Sequence, residues 1–160
     1  MLISLELFVM LVLANGAPVV AALVFGQRWS AAVDGGRLCR DGRRLLGKSK
    51  TWRGVVSGTL ACGLFALITG LGLLFGLAFG LLGLIGDMIS SFVKRRAGMA
   101  SSARAIGLDQ VPEALLPMVL AWYWLEISGL VVAGVVALFT FSNIVLSPLL
   151  YRLGIRHQPH

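Results

Sequence analysis

Uncharged apolar stretches and short basic runs alternate along this 160-residue chain. Apolar spans of about 20 residues cross a hydrocarbon core of roughly 30 Å. Residues 2–25 supply one such span. Residues 54–93 carry no charge except Asp87 and are long enough for two, with Gly70-Leu71-Gly72 as the turn between them. Residues 111–149 carry only Glu113 and Glu126 and fit two more. The pattern predicts an all-α integral membrane protein of one domain, residues 1–160. Its five transmembrane helices are expected over about 2–25, 54–70, 73–93, 111–126 and 128–149, with loops at 26–53 and 94–110.

Charge then orients the helices. All fourteen Lys and Arg residues fall into three clusters: Arg28 to Arg53 (eight), Lys94 to Arg104 (four), and Arg152 with Arg156. Basic residues collect on the cytoplasmic side of a membrane. With all three clusters there, each gap crosses twice, the N-terminus lies outside and the C-terminus is cytoplasmic. The first segment lacks a basic n-region and its positive charges follow the apolar stretch, so it reads as a retained helix rather than a signal peptide. Trp122, Tyr123 and Trp124 suit the aromatic belt of the outer interface.

Composition narrows the class. A chain 58 % hydrophobic and 13 % charged lies outside the soluble range. Residues 26–53 hold eight bases and two acids, and residues 94–110 four bases and one acid. That is more positive charge than orientation requires, and such fields attract anions. Cys39 in a loop and Cys62 in a span suggest no disulfide or metal framework. His157 and His160, on a short tail, are given no role.

Gly72, Gly76, Gly80 and Gly83 follow a small-residue spacing that lets helices pack backbone to backbone. Asp87, Ser91 and Lys94 continue that face. The same glycine face is the expected wall of a groove for lipid chains. Asp87 precedes Lys94 by about 10 Å of helix at roughly 1.5 Å per residue, just below the cytoplasmic interface. An acid there costs up to roughly 2.5–3.5 kcal/mol. Pairing with a neighbouring Arg to hold two helices is the plainer account of it; a functional acid is the favoured one.

The first loop contains Asp34-Gly35-Gly36, Asp41-Gly42-Arg43-Arg44 and Gly47-Lys48-Ser49-Lys50-Thr51-Trp52-Arg53-Gly54. Asp-Gly pairs favour tight turns with positive φ, which predicts an ordered loop. Cations and backbone N–H groups around a glycine-containing turn are what polyphosphate recognition needs. Topology and lipid attraction explain the bases, but not the two acids and six glycines of residues 26–54. Gly42 to Ser49 also satisfies the P-loop pattern, but that motif works between a strand and a helix, so it is set aside. In the second loop, Pro112 fits the first turn of the fourth helix, with Asp109 or Gln110 near its N-cap. Capping is the plain role of Asp109. Facing Asp87 across a basic mouth, it is also a candidate magnesium ligand, since Mg²⁺ is commonly held by one or two carboxylates plus substrate phosphates.

The two loop blocks, with Gly86-Asp87…Ser91-Phe92-Val93-Lys94-Arg95-Arg96…Leu108-Asp109-Gln110 and the early Asn15-Gly16-Ala17-Pro18, resemble the CDP-archaeol synthases, which belong with the phosphatidate cytidylyltransferases. The resemblance spans residues 15–113. It implies five helices around a cytoplasm-facing polar cavity and a Mg²⁺-dependent cytidylyltransferase of the cell membrane, acting in phospholipid biosynthesis. Such an enzyme transfers CMP from CTP to a membrane lipid phosphate, here 2,3-bis-O-geranylgeranyl-glycerol 1-phosphate or a similar glycerol phosphate lipid, and releases pyrophosphate. By position, Asp87 and Asp109 are implied to bind metal and, with Lys94, to be catalytic. Asn15, Asp34, Asp41, Arg43, Lys48, Lys50, Thr51, Arg53, Ser91, Arg95 and Arg96 are implied to meet CTP and lipid phosphates. The chain lacks the extra helices of the longer phosphatidate enzymes and their Pro-Gly-His-Gly-Gly segment, which favours the short archaeal-lipid branch. Expected partners are CTP and a lipid phosphate, with a second copy of the chain as a further candidate and no nucleic acid. Two other readings are kept: a CDP-alcohol phosphotransferase, whose Asp-x3-Asp is missing, and a non-enzymatic scaffold or transporter subunit.

Overall fold

Five helices build the molecule: α1 (Leu2–Phe25), α2 (Trp52–Ile68), α3 (Leu73–Arg96), α4 (Gln110–Leu125) and α5 (Gly129–Arg152). The computed structural model describes residues 2–100, 105 and 107–152, with side chains as far as Val145. Ser101, Arg104, Arg156, His157 and His160 lie outside the described residues. Among the described residues there is no strand, only two isolated β-bridges in the first loop.

Helix α1 has the expected bounds, and the other boundaries shift for local reasons. Helix α2 starts two residues early because Thr51 caps it, its Oγ1 accepting the Gly54 N–H at 3.2 Å. Helix α3 runs on through Lys94-Arg95-Arg96, beyond the apolar stretch. Cations suit the negative end of a helix dipole, and Gly98 at φ +78° then turns the chain away. Helix α5 continues to Arg152, past the expected residue 149. By length and composition α1 and α3, 24 residues each, can cross a membrane, while α2 and residues 129–145 are apolar but shorter.

Helix α3 is central and packs against α2, α4 and α1, and α5 closes the bundle against α4 and α1. Helices α1 and α2 run antiparallel, with the Cys62 thiol donating to the Met10 carbonyl at 3.2 Å. Pro18 has no N–H to offer the Ala14 carbonyl. That oxygen instead lies over Gly58, where an added Cβ would sit 2.7 Å from it.

The glycine face of α3 is sealed. A Cβ on Gly76 would meet Ala66 Cβ and the Cys62 carbonyl at 2.5 Å, and one on Gly80 would meet Cys62 Cβ at 2.9 Å. A Cβ on Gly86 would lie 2.2 Å from the Pro112 carbonyl. These glycines bring helix backbones together, and that closeness leaves no room for a lipid chain. The expectation that this face walls a lipid groove is therefore corrected.

The bundle has two unlike ends. Phe75 and Trp124 rings pack 6.1 Å apart, joining the start of α3 to the end of α4. The Gly70–Gly72 turn, the start of α1 and the exposed Trp122, Tyr123 and Trp124 gather at that end. Phe75, Phe79, Phe139, Leu7, Met10 and Met118 fill the core behind them. Both loops meet at the opposite end, and with them the bases from Arg28 to Arg96.

Candidate active site

The first loop is ordered by its two Asp-Gly turns. Gly35, Gly36 and Gly42 take φ of +54°, +80° and +72°, conformations that glycine adopts without strain. The buried Asp34 carboxylate accepts the N–H groups of Gly36, Leu46 and Gly47 at 3.0–3.2 Å and pairs with Arg44 at 2.8 Å. Burial raises its pKa, but the N–H groups of Gly47, Gly36 and Leu46 and the Arg44 guanidinium outweigh burial and hold it at about 2. The Asp41-Gly42 turn closes a small hairpin between Leu38 and Arg44.

Other arginines fasten this loop to the helices. Arg96 bonds Asp41 at 2.5 Å and the Arg44 carbonyl at 2.7 Å. Arg43 reaches back to the carbonyls of Arg95 and Arg96 at the end of α3. Arg53 holds the Gly26 and Arg28 carbonyls at 2.9 and 2.7 Å, tying α2 to the end of α1. Arg95 is buried and bonds the Ala100 carbonyl at 2.7 Å. Guanidinium forks suit such multiple carbonyl contacts.

A bridge between Ala32 and Thr51 then draws Lys48, Ser49 and Lys50 to the start of α2. Lys50 Nζ pairs there with the Asp87 carboxylate of α3. Lys94, at the end of α3, pairs with Asp109 Oδ1 at 2.6 Å. The other Asp109 oxygen accepts the Ala105 N–H at 2.9 Å, and no side-chain bond caps α4. The capping role expected for Asp109 is thus corrected: its carboxylate faces back along the loop.

These groups surround a cavity of about 1140 Å³ at the loop end of the bundle. Of the residues singled out from sequence, it brings together Asn15, Lys48, Lys50, Thr51, Arg53, Asp87 and Asp109. Lys94 reaches it through Asp109. Asp34, Asp41, Arg43, Ser91, Arg95 and Arg96 are not on its wall, and all but Ser91 are bonded into the loop framework described above. Sequence reasoning missed Glu113 and Gln110 of α4, Asn143 of α5, and an apolar strip on α1 formed by Pro18, Val19, Ala22 and Leu23. The spacing of Glu113 from Asp109, one helical turn, was the one available signal for any of them.

The cavity is chemically divided. Lysines and the α2 N-terminus, where backbone dipoles favour anions, form one side. Asp87 and Asp109 face it from α3 and the start of α4. Among the described residues no three His, Cys, Asp or Glu side chains converge on one point. Two carboxylates beside a phosphate-attracting wall still fit a hard divalent cation, whose other positions would go to phosphate oxygens and water.

Residues 1–160 match the family model described as CarS-like, CDP-archaeol synthase. The chain is 45 % identical over 111 residues to the CDP-archaeol synthase of Thermococcus kodakarensis, covering 61 % of this chain and 60 % of that one. The match therefore spans about three fifths of that relative's length. It is 38 % identical over 154 residues to the CDP-archaeol synthase of Methanosphaerula palustris, covering 84 % and 87 % of the two chains. Among solved structures, one described as an intramembrane enzyme for archaeal membrane lipids biosynthesis superimposes with a TM-score of 0.67 at 31 % identity. That alignment covers 86 % of this chain and 90 % of the other.

Proposed function

The chain belongs to the CDP-archaeol synthase family, and on that premise we propose that it transfers CMP from CTP to a membrane lipid phosphate. The observation that carries this reading is one cavity that joins the carboxylates of Asp87, Asp109 and Glu113, two lysines just before the α2 N-terminus and an apolar strip on α1. The acceptor is 2,3-bis-O-geranylgeranyl-glycerol 1-phosphate or a similar glycerol phosphate lipid, its chains lying along the α1 strip rather than the glycine seam.

In the reaction an oxygen of the lipid phosphate forms a bond to the α-phosphorus of CTP. The bond from that phosphorus to the β-phosphate oxygen breaks, and pyrophosphate leaves with its electron pair. Lys48 and Lys50 hold the phosphates, and the α2 N-terminus supplies further N–H donors. Asp87 and Asp109 would hold Mg²⁺, which when bound would screen the meeting anions and stabilise charge on the leaving group. Arg43, Arg53 and Arg96 keep the loop in place against the helices. A phosphate monoester has its second pKa near about 6 and is largely ionised at neutral pH, so the residues need supply no general base. Catalysis is mostly positioning and electrostatics.

The protein is multi-pass in the cell membrane, with five spans and the cavity opening to the cytoplasm. The gathering of the bases from Arg28 to Arg96 at one end supports that orientation. The deciding experiment gives purified protein Mg²⁺, CTP and the ether-lipid phosphate. The expected result is pyrophosphate release with formation of a CDP-lipid. Equal turnover of CTP and ATP, or no nucleotide binding under any metal condition, would defeat the reading.

A further inference from the structure

Both aspartates of the cavity already have a cation on them. Lys50 Nζ sits on Asp87 and Lys94 Nζ on Asp109. These pairs are shielded: the lysine side chains are 19 % and 12 % exposed, the carboxylates 27 % and 23 %. Lys50 also lines the cavity, beside Lys48 and the α2 N-terminus. Lys48 forms no ion pair with a carboxylate among the described residues and is exposed.

A divalent cation bound through Asp87 Oδ2 or Asp109 Oδ1 must take the place where an ammonium now lies. Displacing that ammonium without giving it another anion leaves a cation beside a dication in a shielded site, where repulsion is weakly screened. A triphosphate changes this balance, because it offers the lysines oxygens of their own. We infer that Lys50 and Lys94 are placeholders that exchange carboxylate for phosphate, so that the metal is taken up only together with the nucleotide. This rests on the proposed function, and it adds an order to the site: neither of those oxygens is open to metal until the polyphosphate arrives. The two lysines are positioning residues in this role, and a purely structural pair would show no such coupling.

The test measures Mn²⁺ binding to the full-length protein in detergent by electron paramagnetic resonance, without nucleotide. Wild type should bind Mn²⁺ weakly. Lys50→Met and Lys94→Met should each bind it at least tenfold more tightly, since each uncovers one carboxylate. Lys50→Arg keeps a cation on Asp87 and should remain as weak as wild type. Lys48→Met, which removes a cavity charge but uncovers no carboxylate, should change the affinity by less than about twofold by long-range attraction alone. With CTP present, wild type should retain protein-bound Mn²⁺ that survives rapid desalting. Because the two pairs share no residue, Lys94→Met decides the matter if Lys50→Met does not fold. Unchanged Mn²⁺ affinity in the folded Met variants would overturn the exchange while leaving the enzyme reading intact. Equal tightening in Lys48→Met would reduce it to a general field effect. No Mn²⁺ binding to wild type with CTP, nor to any variant, would overturn the metal assignment and this inference together.

Discussion

Gly83 and Gly86 are one turn apart on α3, and an added methyl group should have opposite consequences at the two. At Gly86 a Cβ would stand 2.2 Å from the Pro112 oxygen, 2.6 Å from the Pro112 carbonyl carbon and 2.7 Å from Glu113 Cα. Ordinary contact begins at 3.4 Å, and all three atoms are backbone or backbone-fixed. No rotamer change can relieve the clash, so α4 must move by about 1 Å at its first turn, costing about 1–3 kcal/mol as overpacking does. Asp109 sits immediately before that turn. A misplacement of about 1 Å at a positioned catalytic group costs up to about 10²-fold in rate. Gly86→Ala should therefore lower turnover at saturating CTP about a hundredfold and lower the thermal midpoint in detergent, with the protein still inserted. At Gly83 the nearest atoms to a Cβ are 3.6 Å away. Gly83→Ala should keep turnover within about twofold and gain up to about 1 kcal/mol of stability from helix propensity. Near-wild-type turnover in Gly86→Ala, or equal damage at both positions, would refute the reasoning.

Asp87→Asn should abolish cytidylyl transfer while the protein still inserts, and Asp109→Asn should come close, because each loses the charge a magnesium ligand needs. Turnover that persists under full chelation of divalent metal would sink that assignment. The first loop should become protease-sensitive as pH falls. Asp34 has its folded pKa depressed to about 2 from 3.8, so its stabilisation is complete above the unfolded value and is lost between about pH 4 and pH 2. Limited proteolysis across that range checks it, and Asp34→Asn should show the same sensitivity at neutral pH. A reporter at Gly70–Gly72 should read as outside the cytoplasm and one at Ser101 as inside; the reverse would overturn the five-span arrangement.

The sequence by itself determined the five helices, through apolar length, and the grouping of charge, through the gaps between basic clusters. It also determined the two turns at Asp34-Gly35 and Asp41-Gly42, because positive φ is a local property of glycine. Asp87 and Asp109 were legible as a facing pair because each lies at the loop end of a predicted helix. What the tertiary structure decided is which partner each polar group meets. Lys50 and Asp87 are 37 residues apart, and nothing in that separation encodes contact. The family resemblance implied that Arg43, Arg53 and Arg96 meet phosphates; the backbone carbonyls they hold are brought within reach only by the docked loop. Asn143 of α5 had no local signal, since its place on the cavity depends on how α5 is rotated against α1 and α4. The glycine face misled for the same reason. Small residues show that a helix can be approached closely, but only packing decides whether the approaching group is a lipid chain or another backbone.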